Sequence, residues 1–238
     1  MTAQTPAARL VAERPALTDE QLAFLRATDS PTLANAIEEL DLRPPTEGFL
    51  GGPIRAQFPE LGPMVGRAIT VTMTDARDAD PGRANYWRMW EAVEEAEGPV
   101  VLAIADASGH PERVAYAGEV MSTLAQRLGA VGMVTDGALR DVPEVRKLGF
   151  HYFMRYPVVS HADFQVVAIG EPITLEGQRV RTGDLLHGDE NGVVVIPDAA
   201  LESLHERVAG VREREAGELA LIRSADFTLA RLRPAHSY

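Results

Sequence analysis

Two pairs of residues in the middle of this chain have the chemistry to hold a small anion beside a hard cation: Gly118-Glu119 and, after a gap of twenty residues, Arg140-Asp141. The run that joins them, GEVMSTLAQRLGAVGMVTDGALRD, reads as a helix from Gly118 to Gly129, a buried strand from Ala130 to Thr135 and a turn at Asp136-Gly137. A helix start exposes unpaired N–H groups and a partial positive charge. The amides of Gly118, Glu119, Val120 and Met121 therefore suit a carboxylate or a developing oxyanion. Arg140 would clamp the same anion. Asp141 offers a hard oxygen of the kind Mg²⁺ accepts alongside waters and substrate oxygens, and Glu119 offers a second carboxylate through a water. Each has a plainer role open to it. Asp141-Val-Pro-Glu144 also fits a helix cap with Glu144 reaching back, Glu119 fits the charge preference of a helix start, and Arg140 alone fits a solvated surface.

The elements that must position these groups are legible around them. Residues 1–16 show no period and read as an N-terminal arm. Thr18-Asp19-Glu20-Gln21 caps a helix; Ser30-Pro31-Thr32 caps the next, with Leu33, Ile37 and Leu40 on one face and a solvated acidic face behind. The Pro- and Gly-rich stretch 43–63 is a long connection, followed by a strand at 69–73 and a polar loop at 75–82 that lacks the glycine and terminal glutamate of a calcium loop. A helix over 85–97 carries Trp87, Trp90 and Val93 at helical spacing, a core or subunit-contact stripe more than a ligand box. Val100 to Asp106 is a strand, and His110 beyond it is either a candidate acid or base or a polar loop residue. Strands at 150–156 and 164–169 precede paired β segments over 172–197, with turns at Glu176-Gly177 and Asn191-Gly192. Asp198 caps a final amphipathic helix that ends near Ala220.

Composition narrows the function classes. A net charge of −12 over 238 residues argues against a nucleic-acid backbone as ligand. There is no cysteine, so disulfides, thiolate metal sites and cysteine nucleophiles are excluded together. The one lysine, Lys147, lies beside Arg146 on what reads as a solvated face, so a Schiff-base mechanism lacks its desolvated amine. His151, His161 and His187 follow no zinc spacing. The N-terminus lacks the apolar run of a signal peptide and no stretch has the length of a membrane span, so a cytoplasmic protein is expected.

The acid at Glu119, the twenty-residue gap and Arg140-Asp141, together with RVRTGDLLHGDENGVVVIP at 179–197 and the weaker Gly66-Arg-Ala-Ile-Thr-Val, resemble the RraA-like proteins and the 4-hydroxy-4-methyl-2-oxoglutarate / 4-carboxy-4-hydroxy-2-oxoadipate aldolases. The resemblance implies an α/β fold, a three-layer ββα sandwich of the swivelling-domain type with flanking terminal helices, over 17–238. It implies a homotrimer or a pair of trimers with the active site at a subunit boundary. It also implies cleavage of 4-hydroxy-2-oxo acids to pyruvate and a carbonyl product, with oxaloacetate decarboxylation as a side activity. By position, Asp141 would ligate Mg²⁺ or Mn²⁺ and Arg140 would contact keto oxygen and carboxylate. The amides of Gly118 to Met121 would hold the carboxylate, and Glu119 would orient a water on the metal. A glutamate from a neighbouring subunit's last helix also contributes in the family, and Glu213 or Glu215 is the nearest match. The family's commonest acid at position 119 is aspartate, and a water-mediated contact would absorb the extra methylene. The other expectation is a non-catalytic regulator that binds an RNA-degrading enzyme. Such regulators tend to lack the aspartate after the arginine, and Asp141 is present.

Overall fold

The computed structural model describes residues 4–76 and 82–233. Most of the polar loop expected at 75–82 lies outside them. The segment expected to be an aperiodic arm is a helix, α1 (Pro6–Ala12), with proline in its first turn and Thr5 as cap. Its Ala7, Ala8 and Val11 are buried, so a helix too short to show a period is held by packing. Helix α2 (Asp19–Arg26) has the expected capping box of Thr18 and Gln21. Helix α3 (Ser30–Glu38) is capped one residue earlier than expected, by Asp29, whose Oδ1 accepts from the Thr32 amide at 2.9 Å. The long connection contains two edge strands, β1 (Phe49–Leu50) and β2 (Arg55–Ala56), before β3 (Met64–Thr74).

Helix α4 (Gly82–Glu95) buries Trp90 and Val93 but leaves Trp87 59% exposed, so the expected stripe is incomplete. The chain then alternates: β4 (Val100–Asp106), α5 (Glu119–Arg127), β5 (Ala130–Thr135), the short β6 (Ala138–Leu139), α6 (Val142–Leu148) and β7 (His151–Met154). After β8 (Tyr156–Pro157) and β9 (Gln165–Ile169) come two hairpins, β10 (Ile173–Leu175) with β11 (Gln178–Val180) and β12 (Leu185–Asp189) with β13 (Gly192–Ile196). Helices α7 (Leu204–Ile222) and α8 (Leu229–Leu232) close the described chain. Asp198 is not the cap of α7, which begins six residues later. It binds the buried Arg67 guanidinium instead, Oδ1 to Nη1 at 2.6 Å. The acidic face of α3 is also not wholly solvated, because Glu39 just beyond it pairs with Arg207 and Arg214 of α7.

The main sheet runs β1-β13-β12-β3-β4-β5-β7-β2, with β9 beside the second half of β3. Strands β3, β4, β5 and β7 are parallel, as helical crossovers require. Alternation along these strands builds two cores. Ile69, Val71, Met73, Leu102, Ile104, Met133 and Tyr152 face α1, α4, α5 and α6. Ala68, Val101, Ala103, Val134 and Phe153 face the β10–β11 hairpin. A third cluster joins α3 and α7 to Val65, Leu185 and Val194. Helices, sheet and second β layer make the expected ββα sandwich with terminal helices flanking it. No described helix is long and apolar enough to cross a membrane.

Candidate functional site

The site is built where two helix starts are brought side by side. Ala115 bridges Ala138 in parallel, and the Tyr116 and Arg140 amides donate to Ala138 O and Ala117 O at 2.9 Å each. On the other flank β6 pairs with β8, and the Ala115 amide donates to Ser160 O at 2.8 Å. These ladders end together, one at Gly118, the N-cap of α5, the other at Asp141, the N-cap of α6. Both lie beyond the carboxyl ends of β4 and β5, where open α/β sheets place their ligands.

Asp141 sits at φ 57°, ψ 40°, a left-handed conformation that few non-glycine residues adopt, aspartate among them. The turn directs its side chain away from its own helix, which has no side-chain cap. The capping reading of Asp141-Val-Pro-Glu144 is thereby corrected: Asp141 caps the neighbouring helix. Its Oδ2 accepts from the Glu119 amide at 2.9 Å and lies 3.6 Å from Arg140 Nε. The Ser122 amide closes onto Gly118 O at 3.0 Å. Of the first-turn amides, those of Val120 and Met121 are left as donors.

Gly118 makes this convergence possible by its lack of a side chain, not by its backbone angle. A Cβ there would lie 2.2 Å from Asp141 Oδ2 and 3.0 Å from Arg140 Cγ and Nε. Beneath the pair, the Tyr152 hydroxyl and Ser122 Oγ are 2.6 Å apart and buried. Burial pushes the Tyr152 phenol upward, and it stays protonated.

A cavity of about 250 Å³ opens over these groups. Gly118, Val120, Met121, Arg140 and Asp141 line it, together with Tyr86, His161 and Phe164, which spacing alone had not singled out. Tyr86 is one residue from Trp87 in a helix already marked as aromatic; Phe164 opens the strand expected at 164–169, just before β9, and His161 lies in the loop that precedes it, so strand and loop were legible but their place over the site was not. Glu119 is exposed, and its side chain is not among the lining groups. Glu213 and Glu215 lie on α7, away from this cavity in the same chain, and Glu215 accepts from Asn35 at 3.3 Å. His110 also stands apart, 2.8 Å from Asp75 Oδ2, and that hydrogen bond raises its pKa. A larger hollow of about 520 Å³ lies at the amino ends of β5 and β7 and has no carboxylate in its lining.

The model of the RraA-like family, described as Aldolase/RraA, matches residues 34–195, which include every residue lining the 250 Å³ cavity. The chain belongs to the RraA-like family. The match stops before α7, so Glu213 and Glu215 lie outside it. A protein of Halalkalibacterium halodurans with the provisional name 4-hydroxy-4-methyl-2-oxoglutarate aldolase is 32% identical to this RraA-like chain over 145 residues, 60% of this chain and 64% of that one. The chain thus spans less than two thirds of that relative's length. Among solved structures, an uncharacterised protein of Pseudomonas syringae pv. tomato matches with a TM-score of 0.73 at 24% identity, over 94% of this chain and 97% of that one. RraAS2 of Streptomyces coelicolor, described as an unusual member of the RNase ES inhibitor RraA protein family, matches with a TM-score of 0.66 at 24% identity, over 89% and 99%. At these identities both show the shared fold.

Among the described residues of this RraA-like protein, no three His, Cys, Asp or Glu side chains converge in a way that could hold a metal. A cation that keeps most of its waters, as Mg²⁺ does, needs only one or two carboxylates plus substrate oxygens. Asp141, a third exposed and already oriented by the Glu119 amide, fits as such a ligand.

Proposed function

We propose that this RraA-like protein is a divalent-metal-dependent carbon–carbon lyase that cleaves 4-hydroxy-2-oxo acids to pyruvate and a carbonyl product, and that it decarboxylates oxaloacetate. The observation that supports this reading is the Arg140 and Asp141 pair, gathered over Gly118 at the first turn of α5. Asp141 would hold Mg²⁺ or Mn²⁺, with Glu119 orienting a water on it, and the metal would supply Lewis-acid stabilisation of charge on the keto oxygen. The Val120 and Met121 amides donate to the substrate carboxylate, and the positive end of α5 favours that charge. Arg140 stabilises the enolate left when the bond breaks, worth about 3 kcal/mol by the precedent of oxyanion donors. Cleavage also requires the 4-hydroxyl proton to leave. Glu119, exposed at the start of α5, takes it through an intervening water. Decarboxylation generates the same enolate without that proton transfer.

The protein also acts as a homo-oligomer, a trimer or hexamer, in the cytoplasm. Support for the assembly comes from apolar side chains near the cavity: Val120 and Val159 are 82% and 92% exposed, and Trp87 stands beside Tyr86. A second copy would cover them, and its Glu213 or Glu215 would complete the site.

Stripping the purified protein of metal and following pyruvate from oxaloacetate with lactate dehydrogenase tests the reaction. Activity is expected to disappear and to return with Mg²⁺ or Mn²⁺. Full activity in excess chelator would remove the metal from the proposal. A protein that turned over no 2-oxo acid but captured a ribonuclease would be a regulator instead.

A further inference from the structure

The amides of Val120 and Met121 stand between two anchors on the first turn of α5. One is the Glu119 amide, held by Asp141 Oδ2 at 2.9 Å. The other is Ser122, whose amide closes the turn onto Gly118 O at 3.0 Å and whose Oγ lies 2.6 Å from the Tyr152 hydroxyl. Ser122 and Tyr152 are both fully buried, so this hydrogen bond belongs to the core and does not depend on what covers the cavity above it. Tyr152 is itself rigidly placed. It sits in β7, in register with Met133 of β5, and its carbonyl accepts from the Gln57 amide at 2.9 Å. Its ring stacks on Phe58 with centroids 5.9 Å apart and meets Phe150 edge-on at 6.3 Å. The charges of Asp141 and Arg140 both act on its hydroxyl, in opposite senses.

A phenylalanine would fill the same place in this apolar core without a polar atom. Burying two hydroxyls costs free energy that the hydrogen bond between them roughly offsets, so the pair adds little net stability. What it adds is direction. A hydrogen bond of fixed length, from a side chain braced on a strand, sets the rotation and depth of the helix start in a way that non-directional apolar contacts do not. Gly118, the N-cap, has no side chain to do this from the other end. We propose that Tyr152, through Ser122, is a positioning residue that holds the Val120 and Met121 amides where the substrate carboxylate meets them. This rests on the lyase reading above, in which those amides bind that carboxylate. Tyr152 acts from beneath α5 and needs no contact with the substrate. The amides meet the carboxylate alike before and during the reaction, so loss of the anchor raises KM and leaves kcat nearly unchanged.

The test is steady-state decarboxylation of oxaloacetate by the Mg²⁺-loaded protein, with the pyruvate Kd measured by calorimetry alongside. In the double variant Tyr152→Phe with Ser122→Ala both hydroxyls go together, so neither is orphaned and the urea midpoint should stay near that of wild type. Its KM is expected to rise about tenfold, its kcat to stay within about twofold, and its pyruvate Kd to rise by a factor similar to that of KM. Tyr152→Phe alone should show the same rise. Its Ser122 hydroxyl can turn to Gly118 O four residues back, so this variant serves if the double one proves unstable. Wild-type KM and Kd in a folded variant would make the pair a packing contact and overturn the inference, with the lyase reading intact. A fall in kcat at unchanged KM and Kd would do the same. A wild type that releases pyruvate from no 2-oxo acid overturns both.

Discussion

Asp141 has two separable duties, and substitutions of different chemistry should pull them apart. Its Oδ2 satisfies the Glu119 amide, and its charge would hold the metal. Asn retains an acceptor oxygen and tolerates the left-handed backbone, so Asp141→Asn is expected to unfold in urea within about 0.5 kcal/mol of wild type while losing roughly a hundredfold or more in turnover. Asp141→Ala should lose turnover equally and cost about 1 kcal/mol of stability as well, because the α5 amide loses its cap. Equal turnover in wild type and Asp141→Asn would reduce the residue to a cap. Gly118→Ala probes the same point from the other side. Its Cβ would lie 2.2 Å from Asp141 Oδ2, so the carboxylate must move. A displacement of this size is expected to lower kcat by about 100-fold with the fold intact. An active Gly118→Ala enzyme would mean that the observed Asp141 position is not the working one.

At the level of elements, the polar contact with most at stake is Arg67 in β3. Its guanidinium, 5% exposed, is met by Asp198 Oδ1 at 2.6 Å, Gly183 O at 3.1 Å and Pro15 O at 2.8 Å, which ties the chain before α2 and the turn before α7 to the central strand. Removing one partner of a buried pair leaves an uncompensated charge, so Asp198→Ala should destabilise by about 3 kcal/mol, read as a shift in the urea midpoint. A loss near 1 kcal/mol would be what a helix cap gives, the role that its position before a helix suggests. That misreading shows what is legible in a sequence of this kind. The bounds of β5 follow from a β-branched run between two breakers, and α5 from a glycine at each end, because these signals are local. The α/β order of layers follows from strands alternating with amphipathic helices. The turn of Asp141 toward α5 was not legible, since one residue's backbone angle decides it and the same letters also spell a capping box. Tyr86 and Phe164 are nearly eighty residues apart and meet because Asn85 joins α4 to β9, a contact with no counterpart in local spacing. The short α1 was missed for a similar reason: seven residues carry too little period, and its helicity depends on what it packs against.

For the molecule as a whole, two histidines should set the acid limit of stability. His187 is fully buried, with Nε2 3.0 Å from Leu25 O and Nδ1 2.9 Å from Ser30 Oγ, and burial lowers its pKa. His151, at the start of β7, is pushed down to about 4, first by burial and then by Arg26. For a base whose folded pKa lies below its unfolded value, the unfolded chain binds the proton first. Stability is therefore full above about pH 6.5 and drains as pH falls toward the folded value. His110 runs the opposite way, raised by Asp75, but it is exposed and offers little to offset this. For His151 the shift corresponds to roughly 2 kcal/mol between pH 7 and 4.5, allowing for its partial exposure. Urea unfolding of wild type and His151→Leu at both pH values isolates that share, because every carboxylate titration is common to the two proteins. The gap between the pH 7 and pH 4.5 stabilities should be smaller in His151→Leu by about that amount. Parallel losses in the two proteins would show that His151 titrates alike folded and unfolded. His151 lines the hollow at the amino ends of the strands and not the cavity over Gly118, so this acid loss should appear in unfolding curves without tracking the pH dependence of turnover.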